Sequence, residues 1–261
     1  MGIETGISWT DHTWNPWWGC TKVSPACDNC YAERDSKRYG HAIWGKDAPR
    51  RFFGDKHWAE PLKWNYSAAR NGERKRVFCA SMADVMEDRM DLDTYRIRLW
   101  KLIEDTPNLD WLLLTKRPQN FRRMLPNSWS DMPRSNVWLG TTVESPAYLW
   151  RVDALREVPA VFHFLSMEPL IEAVPMIGNY LSDIEWLIAG GESDGGRRVA
   201  RAVPADWYRQ LRDAAVSRSI PFHFKQWGEH DGELVRIGKK AAGCELDGRE
   251  WKEFPIPSED R

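Results

Sequence analysis

Six short runs of apolar, β-branched and aromatic residues recur along the chain, each closing in polar or glycine residues. They are RVFCAS (76–81), WLLLTKRP (111–118), NVWLGTTVE (136–144), VFHFLSMEP (161–169), EWLIAGGES (185–193) and PFHFKQWGE (221–229). Each has the length and composition of a buried strand. Their starts lie 24 to 36 residues apart, the size of a βα unit. Helical patterns fill the gaps. DTYRIRLWKLIED (93–105) carries Tyr95, Ile97, Leu99, Trp100 and Ile103, with Asp93 at its start. SPAYLWRVDALRE opens on a serine cap, Ser145, followed by proline, and VPADWYRQLRDAAVSRS spaces Trp207, Leu211 and Ala215. CYAERDSKRYG also reads as a helix, and GISWT (6–10) adds a first strand. Nearly continuous apolar strands alternating with helices predict an α/β fold with a helix-covered parallel sheet.

The polar residues decide between closures. Strand after strand ends in reactive side chains: Ser81 and Asp84, then Thr115, Lys116 and Arg117, then Thr141, Thr142 and Glu144. Ser166 and Glu168 follow, then Gly190, Gly191, Glu192 and Ser193, and finally Lys225 and Gln226. An open doubly wound sheet gathers such groups at one crevice, whereas a βα barrel spreads them over all its strand ends. A partial TIM-like (β/α) barrel of parallel strands is therefore expected. It would form a single domain over 1–261, with an insertion at about 34–76 and a C-terminal extension from about 230.

Composition changes this picture little. A net charge of −1, with 42% hydrophobic and 29% charged residues, gives no global case for nucleic acid or a membrane. The N-terminus has no charged region followed by an apolar one, and no apolar run approaches membrane-spanning length, so a cytoplasmic protein without a membrane partner is expected. The 16 tryptophans are the outlier. Most must pack in the core. A few, such as Trp14, Trp17, Trp18, Trp138 and Trp227, stand beside candidate site residues, where they would shield a reactive centre or stack on a flat substrate.

The sharpest chemical signal is WNPWWGCTKVSPACDNCYAE, in which Cys20, Cys27 and Cys30 are spaced C-x6-C-x2-C after the first strand. Reduced cytosolic thiols in such a group point to a metal or cluster site and not to disulfides. Thiolates next to a helix start are also favoured by its dipole. One reading is structural zinc, with a fourth ligand from His41 or Cys79. Structural zinc usually takes two close ligand pairs, and the second pair is missing here. The other is a [4Fe–4S] cluster held by three thiolates, which leaves one iron open for a small molecule.

A three-cysteine loop after the first strand of a βα barrel resembles the radical SAM superfamily. The last two cysteines match that superfamily's usual C-x3-C-x2-C, and the first lies three residues further off. More narrowly, ISWTDHTWNPWWGCTKVSPACDNCYAE, LTKRP, SMEPL, AGGES and FKQWGE resemble a phage and bacterial family of three-cysteine-motif, radical-SAM-like proteins. The resemblance implies a [4Fe–4S] cluster, S-adenosyl-L-methionine, cleavage of the latter to a 5′-deoxyadenosyl radical, and a flavodoxin-like or ferredoxin-like electron donor. By analogy with such barrels, Ser81 and Asp84 would meet the amino group of the cofactor and Thr142 and Glu144 its ribose. Ser166, Glu168, Gly190 and Gly191 would face the adenine. Lys116, Arg117 and Lys225 would hold a substrate carboxylate or phosphate, unless they pair with Glu144, Glu168 or Glu192. Glu192 faces the same presumed cavity, and Gln226 would read a base edge or pair with backbone. A phage setting implies the host cytoplasm and DNA-base hypermodification, for instance isomerisation of an amino-acid-modified thymine.

One segment bears on that substrate. Residues 34–76 hold twelve Lys/Arg against five Asp/Glu, interleaved with Tyr39, Trp44, Phe52, Phe53, Trp58, Trp64 and Tyr66. Such a mixture suits DNA or a modified nucleotide, the cations tracking phosphates and the aromatics stacking on bases. It equally suits an extension whose aromatics pack on the barrel. Two other function classes stay open: a zinc-stabilised nucleic-acid-binding protein, and a barrel hydrolase or transferase using Glu168 and Glu192 as acid and base.

Overall fold

The computed structural model describes residues 5–256. All six apolar runs are strands, and with a short first strand they make a seven-stranded sheet: β1 (His12–Thr13), β2 (Lys75–Cys79), β3 (Leu109–Thr115), β4 (Val137–Thr142), β5 (Phe162–Met167), β6 (Trp186–Gly190) and β7 (Phe222–Gln226). The spatial order follows the chain from β1 to β7, the topology of a partial (β/α) barrel of parallel strands. Parallel register is set, for example, by Val77 opposite Trp111 and by Leu187 opposite Phe222. β3 to β7 are buried at nearly every position, as expected for a sheet covered on both faces.

The longer helices are α1 (Tyr31–Arg38), α2 (Glu60–Asn71), α3 (Asp93–Glu104), α4 (Trp150–Arg156) and α5 (Ala205–Val216). None of the described helices is long and apolar enough to cross a membrane. Three local expectations are corrected. The first strand is His12–Thr13 and not 6–10, because the apolar content of GISWT folds into a turn. There Thr10 N–H donates to Ile7 O at 3.3 Å, and Trp9 packs on Phe78 at 4.6 Å. Ser145 stands at the entrance to a 3₁₀ turn (Pro146–Tyr148) without a side-chain capping bond. On α3, Ile97 is 68% exposed and Arg96 is buried instead, donating to Val85 O and Glu87 O at 2.9 and 2.7 Å.

The chain divides into two compact units. The first comprises Met1–Val23, Ala32–Gly140 and Glu157–Val161. Its aromatic core centres on Trp14, which stacks on His57 at 5.0 Å and meets Trp58 and Trp111 edge-on. Trp14 and Trp17 are wholly buried, so packing accounts for both. The same unit absorbs the 34–76 segment, where a two-residue antiparallel ribbon pairs Trp17 with Phe52. The second unit comprises Ser24–Tyr31, Thr141–Arg156 and Phe162–Arg261, and it packs Tyr208 of α5 against Phe224 of β7 at 4.9 Å. Its C-terminal segment runs antiparallel along the outer edge of β7. Phe224 N–H donates to Trp251 O at 2.8 Å, Glu253 N–H to Phe222 O at 3.3 Å, and Phe222 N–H to the Glu253 carboxylate at 3.0 Å.

Candidate functional site

Cys20 belongs to the first unit, and its turn is built on backbone. Gly19 has φ +113°, and a Cβ there would fall 2.5 Å from Ile43 O, so the position requires glycine. Gly19 N–H donates to Met82 O and Gly45 N–H to Cys20 O, both at 2.9 Å. Ser81 helps hold this region, since its hydroxyl accepts from Asn15 Nδ2 at 3.2 Å while Asn15 Oδ1 accepts from Met82 N–H at 2.6 Å.

Two strand ends converge on the turn. Asp84, beyond β2, accepts from Thr115 Oγ1 (2.6 Å), Met86 N–H (3.0 Å) and Lys116 N–H (3.2 Å). Arg117, beyond β3, donates Nη1–H to Asp84 Oδ2 at 2.7 Å and to Cys20 Sγ at 3.8 Å, and Nη2–H to Thr21 O at 2.6 Å. Burial alone would raise the pKa of Asp84. The Arg117 charge, with the Thr115 hydroxyl and the two backbone donors, outweighs it and holds the carboxyl below its ordinary range. Burial, with Asp84 adding to it, pushes the unliganded Cys20 thiol up to about 12. Arg50 completes the frame with no side-chain exposure. It grips Glu87 at 2.7 and 3.0 Å and reaches Thr21 Oγ1 at 3.1 Å. Its charge is met by Glu87 inside the protein, whereas Arg74 and Arg76 are partly exposed and pair with Asp110 and Asp11.

Cys27 and Cys30 belong to the second unit. Pro25–Cys27 is a 3₁₀ turn, Cys27 N–H donates to Ser24 O at 2.9 Å, and α1 starts at Tyr31 directly after Cys30. Glu192, beyond β6, holds this piece. Its Oε2 accepts from Asn29 Nδ2 (3.1 Å), and its two oxygens take the Arg201 guanidinium at 2.5 and 3.0 Å. Arg201 then places Nη1–H and Nη2–H on Pro25 O, each at 3.1 Å. The 192–201 loop that delivers Arg201 is closed by Asp194. This wholly buried carboxylate accepts backbone N–H groups from Gly196, Val199 and Ala200 at 2.7–2.9 Å and pairs with Arg236 at 2.9 Å. Burial opposes ionisation of Asp194, yet Arg236 and these amides hold its pKa far below the usual carboxylate range. Asn29, Asp194 and Arg201 had no signal in the sequence.

The remaining strand ends of the second unit form ion pairs. Glu144 and Arg151 are buried together at 2.8 Å, and Arg151 also donates to Thr142 O at 2.9 Å. Glu144 Oε1 and Arg151 Nε are buried without a partner among the described residues. Glu168 meets Lys225 at 2.6 Å, both 16% exposed, and a Cβ on Gly190 would crowd the Glu168 carboxyl at 3.2 Å. At Gly191 a Cβ would fall 1.8 Å from Trp227 O, so the backbone there approaches too closely for any side chain. Thr142, Ser166 and Gln226 are buried, and Lys116 is half-buried with its amide on Asp84. Of the cations considered for a substrate anion, Lys225 pairs with Glu168, one of the expected partners, and Arg117 pairs with Asp84, which was not among them.

Among the described residues no group of three His, Cys, Asp or Glu side chains is gathered as a metal site. The donor chemistry nonetheless suits a cluster: Cys20, Cys27 and Cys30 are unbridged, half-buried thiols. Cys79, one fourth ligand considered for zinc, is completely buried at the end of β2.

No curated protein matches the chain. Among solved structures, a mutant of spore photoproduct lyase is similar, with a TM-score of 0.49 and 14% identity over 69% of this chain and 56% of that one. The chain thus spans little more than half the length of that neighbour. A family model described as "Protein of unknown function (DUF5131)" matches residues 4–255, nearly the whole sequence, and the chain belongs to that family.

Proposed function

We propose that this protein is a radical SAM enzyme in which Cys20, Cys27 and Cys30 hold a [4Fe–4S] cluster with one iron left for S-adenosyl-L-methionine. The observation that carries this reading is the trio itself: three cysteines outside any disulfide, after β1 of a parallel partial barrel, in a segment held by two arginine–carboxylate pairs. When bound, the cluster would pass one electron from a flavodoxin-like or ferredoxin-like donor to S-adenosyl-L-methionine, breaking the C5′–S bond to give methionine and the 5′-deoxyadenosyl radical. The chain's own residues supply position and dryness. The Asp84–Arg117 and Glu192–Arg201 pairs hold the Thr21 and Pro25 carbonyls of the ligand segment, and Trp14 and Trp17 are wholly buried in the first unit.

For the substrate we favour a modified base in DNA, converted by radical rearrangement such as isomerisation of an amino-acid-modified thymine. Support comes from the 34–76 segment, where Arg38, Lys46, Lys56, Lys63 and Arg70 are exposed beside Tyr39 and Tyr66, 64% and 69% exposed. A base in a duplex would have to flip out to reach a barrel mouth. Anaerobic reconstitution tests the chemistry: about four irons and four sulfides per chain, and 5′-deoxyadenosine on reduction with S-adenosyl-L-methionine, are expected. A colourless protein carrying one zinc overturns it. Gel shifts with single-stranded and duplex DNA test the partner, and neutralising Lys63 and Arg70 together should weaken binding and flatten its salt dependence.

A further inference from the structure

Arg117 was expected to hold a substrate anion, yet its donors point elsewhere. It lies buried with Nη1–H on Asp84 and on Cys20 Sγ, and Nη2–H on Thr21 O. Neutralising Asp84 does not by itself require that reach, because Asp84 already accepts from Thr115, Met86 and Lys116. The guanidinium spans from the buried carboxylate to the sulfur and to the next carbonyl. A planar fork with donors on several edges can do this, and a lysine ammonium at the same place cannot. The second buried pair near the turn, Arg50 with Glu87, reaches Thr21 through its hydroxyl and makes no contact with the sulfur.

We infer that Arg117 is a positioning residue for the Cys20 ligand, and that its N–H···S contact raises the reduction potential of the cluster held there. This rests on the radical SAM reading. The physical ground is charge. Reducing the cluster adds an electron to a thiolate-ligated, negatively charged group, and donors and positive charge at a ligand sulfur favour the reduced state. Arg117 is buried, so water screens the contact little and it acts on the potential more strongly than a surface charge would. Asp84 orients the guanidinium and cancels its net charge over distance. The effect is therefore local to Cys20.

The test compares cluster potentials, read by EPR during dithionite titration of anaerobically reconstituted protein. The variant Asp84→Asn/Arg117→Met removes both charges together and leaves neither buried alone. At a fixed poise its ratio of reduced to oxidised cluster should fall about tenfold, equivalent to about 59 mV for a one-electron couple. Arg117→Lys, which keeps charge but loses the fork, should recover part of that loss. A double variant that loads its cluster at the wild-type potential overturns the inference and leaves the radical SAM reading standing. Wild-type protein that binds no cluster overturns both. A measurement that needs no variant guards against misfolding: wild-type protein labelled with ¹⁵N-arginine should show nitrogen hyperfine coupling to the reduced cluster in pulsed EPR. Absence of that coupling also overturns the inference.

Discussion

Arg117 and Arg201 perform the same task by the same means. Each donates to a backbone carbonyl of the cysteine segment, Thr21 O or Pro25 O, while a carboxylate from a strand end holds its guanidinium. Their surroundings differ. The Arg117 and Asp84 side chains are 9% and 8% exposed, whereas Glu192 is 4% exposed and Arg201 31%. The first clamp works where solvent does not compete, and it touches a sulfur. The second works at the rim, where water partly replaces whatever is lost. One motif can therefore be structurally indispensable in one place and adjustable in another, and the solvent exposure of the arginine separates the two.

The largest effect should come from Arg117→Met. Removing one partner of a buried pair leaves Asp84 uncompensated and should cost about 3–5 kcal/mol of unfolding free energy, measured by urea denaturation. Arg201→Met should cost about 1 kcal/mol, because its ion pair is screened, while limited proteolysis within 24–31 should speed up. Equal losses from the two variants would break the comparison. The smallest effect is a pH dependence. Asp84 is held below its ordinary pKa, so its contribution is present above the unfolded value near 3.9 and is lost as pH falls through the lower folded value. Urea midpoints from pH 5 to pH 3 should therefore fall more steeply for wild type than for Asp84→Asn/Arg117→Met. Parallel slopes would mean that the buried clamp contributes no acid sensitivity.

Much of the barrel was legible in the sequence because its strands are long apolar runs, and the six from β2 to β7 lie where those runs predict them. β1 was misplaced because Trp9 looks like strand content and instead packs a turn against Phe78. The site was legible by residue and not by role. Arg117, Glu192, Glu168 and Lys225 stood out as strand-end groups. That Arg117 answers to Asp84, or Glu192 to Asn29 at a separation of 163 residues, follows from contacts that no local pattern encodes. Asp194 and Arg201 stayed hidden for the same reason. Their work is to shape a loop, and loop-closing residues carry no period.

The strip of chain lying along β7 has a consequence for how the protein behaves in a concentrated solution. An uncovered outer strand offers a row of free amides and carbonyls on which another copy can pair, the usual starting point for sheet-to-sheet aggregation. Trp251 and Glu253 occupy that row. At the opposite end of the sheet, β1 is only two residues long and a poor template. A chain cut short before Trp251 would keep every strand and every cysteine, and it would be expected to precipitate.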